Sequence, residues 1–578
     1  MPLAESQPTP EAPPGWPRTD QPLRIAFLGW ARLALQEREG SGYNLSASEL
    51  AAGLAMSGHR VFYLASGMKT SPIPGVRIRR LETWRGVECF DLINSPHFAP
   101  AAVNFRRAPK DAEPTSATRH VLKWLDEVRA QIVHIHSLEG LSFDVIGAIE
   151  DSGRPVVVTP HNYWFLCPQV DLLHRETTLC DDYAGGERCV GCLDAPDPRV
   201  QRIKRTAGQT LERLIGPGPA DVVRKSAYGA LERITGRNGA ASQRIPEHPP
   251  DPQLARAWDG PAESDDPTRI EHGLTLSAKE KPPALGAVPL DMNERFCGEA
   301  PGTSPEGARN IHLRIANDYG RRRTAGAEAL SRASLVTPPS DFLRRVHTLM
   351  GVDEARTRTV RLGQPHFDQI NRAARRSDYY DARPWTPEDP RPLRFGFFGS
   401  TRSNKGLAIL VEAIRMLDPA IRRRCRFLIR AGGWDWPFRK LLSGFPEVQF
   451  AGGYDLLQRI AGCEEYDVGV LPHIWMENSP LVLLEHLHAG RFVVCARLGG
   501  PPEWIVEPSG DSPGNGLLFA GGHADELAAH ITTLARGDVA IPSRRQVHEV
   551  TPHLQSYLGH VTEVSAIYRD LLDSRPAH

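Results

Sequence analysis

Two acids, Glu477 and Glu485, interrupt the otherwise apolar stretch W-M-E-N-S-P-L-V-L-L-E-H-L-H-A-G at Trp475–Gly490. Tyr466–Pro472 ahead of it reads as a strand. Asn478-Ser479-Pro480 reads as a helix start, with Ser479 as cap and Pro480 in the first helical position. The helix then runs from Leu481 to Ala489, and Gly490 ends it. Glu477 falls in the strand-to-helix loop, and Glu485 lies about one and a half turns inside the helix. Between them, unbonded amides around Ser479, Leu481 and Val482 make an anion site backed by the helix dipole. Acid, anion site, acid is an order that suits a ligand with a phosphate in the middle and hydroxyls on both sides, as in a nucleotide sugar. The plainer alternative is one loop acid and one acid on a solvated helix face.

A second cluster is sulfur. Cys167, Cys180, Cys189 and Cys192 follow the spacing C-x12-C-x8-C-x2-C. The C-V-G-C pair suits two thiolates on one tetrahedral ion, and the distant pair completes a closed structural zinc site. An iron–sulfur cluster, disulfides, or reduced cysteines without metal are the other readings. The segment follows His161 directly, so a metal there shapes the rim of a site.

These residues need strands and helices to bring them together. L-R-I-A-F-L-G-W (Leu23–Trp30) is a short apolar run ending near Gly29, as in a buried parallel strand. A loop with Gly40 and Gly42 leads into a helical pattern that stops at Gly58. R-V-F-Y-L-A-S, Ile132–Ser137 and Pro155–His161 read as further strands, with helices between them. A second series begins near Leu393, with the strands L-R-F-G-F-F-G, R-F-L-I-R-A-G-G, V-Q-F-A-G-G, Y-D-V-G-V-L-P and R-F-V-V-C-A. Alternation of this kind gives an α/β chain with two doubly wound, Rossmann-like units and a ligand cleft at the carboxyl ends of their strands. The boundaries read as a disordered Pro-rich tail (1–21), an N-terminal unit (22–193), a basic helical segment and poorly ordered insertion (194–306), the rest of the N-terminal unit and a linker (307–390), a C-terminal unit (391–552), and a final helix (553–578) crossing back to the N-terminal unit.

The chain of 578 residues balances 69 Lys and Arg against 69 Asp and Glu. It therefore has no global attraction for nucleic acid or anionic lipid. No apolar run reaches the ~18 residues that span a bilayer. The start lacks the basic and apolar regions of a signal peptide, and the cysteines read as reduced and cytosolic. Arg199–Arg237 carries nine Lys and Arg against three acids and is helix-compatible. That is the pattern of a helix lying on an anionic bilayer, or of an ordinary solvated helix.

The motifs also match a family. Glu477 and Glu485 in E-x7-E, followed by R-F-V-V-C-A-R-L-G-G-P-P-E-W-I, closely resemble the signature of family 4 retaining glycosyltransferases of the GT-B fold. F-F-G-S-T-R-S-N-K-G (Phe397–Gly406) resembles the family's donor-phosphate loop. The G-S-G ending at Gly42, and V-V-V-T-P-H-N-Y-W-F-L-C-P around His161, are similar to two further family segments. The resemblance implies that Glu485 binds the nucleotide ribose, that Glu477 faces hydroxyls of the donor sugar, and that the main chain across Ser479, Pro480 and Leu481 holds the diphosphate. It also implies that Lys405 neutralises the departing diphosphate, that His161 stands near the reacting sugar, and that Gly42 lets backbone approach it. Two positions depart from the pattern. Ser400 stands where the family has arginine, which leaves Arg402 as the substitute charge, and Asn162 stands where it has aspartate.

The resemblance thus implies transfer of a sugar, with retention, from a nucleotide-diphosphate sugar to a glycan or lipid-linked acceptor in cell-surface polysaccharide or glycolipid synthesis. It implies no catalytic metal. The expected location is the cytoplasm, with peripheral contact at the inner face of the plasma membrane through 199–237. Alternatives are a non-catalytic nucleotide-sugar or glycan-binding scaffold, and another GT-B sugar-nucleotide enzyme such as an epimerase.

Overall fold

The computed structural model describes residues 12, 15–33, 42–176, 178–195, 197–216, 219–220, 223, 313–454 and 456–574. Most of the 194–306 segment, including nearly all of its stretch beyond the helix at Pro198–Ile215, lies outside these residues.

Two sheets form for the reason the apolar runs suggest: each central strand is covered on both faces and so has no polar side to show. In β1 (Arg24–Gly29) every position from Ile25 onward is buried. The first sheet joins β1 to β2 (Arg60–Lys69), β3 (Arg77–Trp84), β4 (Val87–Ile93), β5 (Ile132–Ile135), β6 (Val156–Val158) and β9 (Leu335–Val336). Its seven strands lie in the order β3-β4-β2-β1-β5-β6-β9. All pairs are parallel except β3 on β4, an edge hairpin. A small antiparallel pair, β7 (Leu173–His174) and β8 (Thr178–Leu179), stands apart in the cysteine segment.

The second sheet comprises β10 (Leu393–Ser400), β11 (Cys425–Gly432), β12 (Val448–Phe450), β13 (Val468–Leu471), β14 (Phe492–Ala496) and β15 (Gly516–Phe519). It is wholly parallel, in the order β12-β11-β10-β13-β14-β15. In each sheet the order reverses beside the first strand of its unit, β1 or β10. The loops after strands flanking that reversal open a crevice, which is where such folds bind ligands.

Among the helices of the described residues are α1 (Gly42–Met56), α2 (Pro198–Ile215), α3 (Asp341–Leu349), α4 (Pro365–Arg376), α5 (Leu481–His488), α6 (Arg544–Val550) and α7 (Tyr557–Asp573). Helix α7 returns from the second unit to the first. Its Tyr557 hydroxyl donates to Glu49 O of α1 at 2.6 Å, and its Tyr568 hydroxyl meets His134 Nδ1 at 2.5 Å. Trp16, within the stretch read as tail, packs 5.2 Å from the Tyr557 ring and donates from Nε1 to Ser57 Oγ at 3.0 Å.

Candidate active site

Four strand ends converge on one cleft. β1 leads toward Gly42 at the start of α1, β6 to His161, β10 to Lys405, and β13 to Glu477. Gly42 faces Leu481 across the cleft, where a Cβ on the glycine would meet the leucine Cδ1 at 3.5 Å. Two helix starts, those of α1 and α5, therefore confront each other. The cleft is bridged by two hydrogen bonds from opposite sides. Tyr163 Oη donates to Met476 O at 2.8 Å, and Asn478 Nδ2 donates to His161 O at 2.6 Å.

Lys405 and Glu477 form a hydrogen-bonded ion pair. Glu477 is buried, which alone would raise its pKa. The Lys405 ammonium outweighs that and holds the carboxyl below its usual range, so it stays ionised. The Lys405 Nζ also stands 5.2 Å from the Trp475 ring centroid. The loop that presents Lys405 is fixed by Gly406, whose φ of 72° lies in the left-handed region. A Cβ at Gly406 would overlap the carbonyl oxygen of Pro472, so the loop needs glycine here for two reasons.

The start of α5 differs from the expected cap. Pro480 is the N-cap residue, and no side chain caps the helix. Ser479 Oγ is buried without a hydrogen-bond partner, as is Asn478 Oδ1. Pro480 has no N–H to offer a ligand; its carbonyl accepts from Leu483 N at 3.0 Å and Leu484 N at 3.3 Å. The amides of Leu481 and Val482 precede those first intrahelical bonds and remain available, as at any helix start. Glu485, 4 % exposed, bonds His366 Nε2 of α4 at 3.1 Å.

On the opposite wall, His161 Nε2 and His136 Nδ1 share a hydrogen bond of 2.9 Å, with the rings stacked at 5.2 Å. Burial, helped by His560, depresses His161 to about 3, so the imidazole is neutral near pH 7. Asn162 does not take the place of an acid in the cleft, because its Oδ1 accepts from Trp164 N at 2.9 Å in a local turn. Arg402 is exposed and stands within electrostatic reach of Asp171 from the cysteine segment. Burial raises Asp171 to about 7, against the hydrogen bonds from Gln169 and Leu173. Of these partners, His136 was findable: His134 and His136 alternate on a buried strand, so both point the same way. His366, His473 and Asp171 carry no spacing signal. His473, buried beside Glu477, donates to Leu498 O at 3.0 Å and is held neutral by burial.

The glutamate of the turn after β14, Glu503, serves structure. It accepts from Asp341 N at 2.9 Å, from Phe342 N, and from Arg361 Nη1 at 2.5 Å, and so caps α3 across the unit boundary. Gly499 and Gly500 precede it because Cβ atoms there would overlap the main chain of Glu477 and Asn478.

The expected zinc on Cys167, Cys180, Cys189 and Cys192 is not supported. Among the described residues no three His, Cys, Asp or Glu side chains form a set that could hold a metal ion. All four cysteines are free. Burial raises Cys180 and Cys189 to about 12 and Cys192 to about 11, as thiols rather than thiolates. The Cys192 sulfur is engaged locally, donating to Gln169 Oε1 at 3.2 Å and accepting from Arg175 N at 3.3 Å.

Two families of known proteins match the chain. Residues 41–244 match the family described as glycosyl transferase 4-like domain, and residues 392–536 match glycosyl transferases group 1, together more than half of the chain. The chain belongs to these family 4-type glycosyltransferases, with the two Rossmann-like units of the GT-B fold. Similar solved structures include Anabaena HepE in complex with UDP and glucose, at 12 % identity and TM-score 0.46, covering 94 % of this chain and 99 % of that one. Sucrose-phosphate synthase from Thermosynechococcus elongatus is 14 % identical with TM-score 0.49, covering 95 % and 99 %. The catalytic domain of Arabidopsis thaliana starch synthase IV, bound to ADP and acarbose, is 12 % identical with TM-score 0.46, covering 96 % and 100 %. A comparison with curated proteins found no match.

Proposed function

We propose that the chain transfers a sugar from a nucleotide-diphosphate donor to a glycan or lipid-linked acceptor, with retention of anomeric configuration. The observation that carries this is the Lys405–Glu477 pair set beside the uncapped start of α5. A diphosphate at the Leu481 and Val482 amides, with Ser479 Oγ, would compete with Glu477 for the Lys405 ammonium. The displaced carboxylate is then an acceptor for donor-sugar hydroxyls. Glu485, oriented by His366, is the acid for the ribose. The Gly42 backbone and the neutral His161 approach the sugar from the other wall.

In the step itself the acceptor oxygen bonds the anomeric carbon as the bond from that carbon to the diphosphate breaks. The electron pair leaves on the phosphate oxygen, and the acceptor proton goes to that same oxygen on the same face. Lys405 and the helix start stabilise the charge that develops there. The free-enzyme pair keeps Lys405 in the cleft before the donor arrives, which favours this preorganisation. A thermal-shift screen of UDP-, GDP- and ADP-sugars tests donor binding, since a ligand of the folded state raises apparent stability. Product NMR with inverted configuration would remove the front-face step.

The acceptor side includes a membrane component in this reading. On α2, Val200, Ile203, Leu214 and Ile215 are exposed, and Arg199, Lys204 and Arg213 flank them. Arg205 and Arg202 on the other face anchor the helix, donating to Gly67 O and Ala99 O, and to Ser95 O. No helix among the described residues is long and apolar enough to cross a membrane. Flotation with anionic vesicles, lost on Ile203→Glu/Leu214→Glu, is the expected outcome; unchanged flotation removes the contact.

A further inference from the structure

A second cavity lies outside the cleft, between α4, the far end of α5 and the turn that leads from α6 into α7. Its volume is about 530 Å³, within the ~300–1,000 Å³ that small-molecule sites occupy. Leu481 opens α5 at the donor cleft and His488 closes it at this cavity, so the two sites stand about 10 Å apart along the helix at ~1.5 Å per residue.

Helix α4 supplies one wall as a stripe. Asp368, Arg372 and Arg375 are four and three residues apart, hence on one face and in line over about 10 Å. Some other arginines of this unit are paired: Arg391 and Arg394 share Asp467, and Arg491 and Arg544 share Glu464. Arg372 and Arg375 form no ion pair within 4 Å among the described residues. Arg375 gives only Nε, to Asn371 Oδ1 at 2.7 Å, which orients its two outer nitrogens. Opposite them, His488 lines the cavity, 5 % exposed, and neither of its ring nitrogens has a hydrogen-bond partner. His548, by contrast, is fully engaged, with Tyr380 Oη at 3.1 Å and His488 O at 3.0 Å. At the other end of the stripe, Asp368 accepts from Tyr557 N at 3.2 Å.

Two guanidiniums outside any ion pair within 4 Å, with an acid one helical turn beyond Arg372 and in electrostatic reach of it, fit a molecule that is anionic at one end and hydroxylated at the other. We propose that this cavity binds a small sugar phosphate, its phosphate on Arg372 and Arg375 and its hydroxyls toward Asp368. Arginine pairs grip phosphate by parallel charge-assisted hydrogen bonds. The buried, unpaired imidazole of His488 is a donor that the ligand can satisfy, and a buried polar group without a partner is otherwise costly.

The test is calorimetric titration of the full chain at low ionic strength with ribose 5-phosphate, with inorganic phosphate, and with ribose as the uncharged control. Hydrogen–deuterium exchange under the same conditions locates the bound probe. Ribose 5-phosphate is expected to bind saturably and more tightly than inorganic phosphate, and ribose not at all. Protection should rise over 365–376 and 548–556. Arg372→Ala/Arg375→Ala, two exposed positions, should weaken binding about tenfold or more while leaving Tm unchanged. Absence of saturable binding, affinity unchanged in the double variant, or protection confined to 400–406 and 476–485 would each overturn the proposal. The titration needs neither donor nor turnover, so its outcome is separate from that of the glycosyltransfer reading.

Discussion

At the scale of residues, the proposed function puts the chemistry on the pair Lys405–Glu477. Lys405→Ala should lower kcat for transfer by about 10²–10³, the loss typical of removing one preorganised charge from a developing anion. Steady-state release of nucleoside diphosphate measures it, and a loss confined to KM would assign Lys405 to binding alone. The buried histidines make a separate prediction. His347, His486 and His560 are depressed by burial from 6.5 to about 4, so the folded chain binds fewer protons than the unfolded chain between those values. Stability is therefore complete above about pH 6.5 and falls as pH drops through this window. Tm measured at pH 5 should lie below that at pH 7.5; equal values would contradict the neutral assignments. Glu477, Lys405 and Glu485 were legible because their spacing lies within single strand-to-helix units. His366 was not, since it reaches Glu485 from a helix more than a hundred positions away, through a contact that only tertiary packing creates.

At the scale of elements, the loops are fixed by close backbone approach. Gly406→Ala forces a left-handed residue and an overlap with Pro472 O, and should cost roughly 1–3 kcal/mol. Urea unfolding checks it, and an unchanged midpoint would show that the loop can relax. Glu503→Ala removes the acceptor of the Asp341 and Phe342 amides, while Ser340 Oγ still caps Leu343 N, and strips Arg361 of one partner, for a loss of about 1–2 kcal/mol in the same measurement. The buried parallel strands were readable as continuous apolar runs. The β3–β4 hairpin was not, because R-I-R-R-L-E-T-W is a charged edge strand with three arginines and one glutamate facing outward or half outward. The strand G-L-L-F is too short for its apolar run to stand out. The expected Ser479 cap failed for a local reason: the helix begins one residue later, and the hydroxyl is left at the cleft.

At the scale of the whole molecule, two units are held face to face by Tyr163 on Met476, Asn478 on His161, and Glu503 on α3, while α7 ties the second unit back to the first. This tie places Glu477 and His161 on opposite walls of one cleft, an arrangement implied by two doubly wound units in tandem but fixed only by these cross-links. Tyr163→Phe removes one bridge at little cost in packing. Donor KM should rise severalfold with kcat less affected, since the loss falls on closure. The central claim is that the Lys405–Glu477 cleft turns over a nucleotide sugar. Its most direct measurement is nucleoside diphosphate release from UDP-, GDP- and ADP-sugars by the full chain, its Glu477→Ala variant and its Lys405→Ala variant. The account predicts release by the unmodified chain from at least one donor, lowered about a hundredfold or more in both variants. Release at the unmodified rate in either variant, or a donor that binds tightly and is never cleaved with acceptor present, would contradict it.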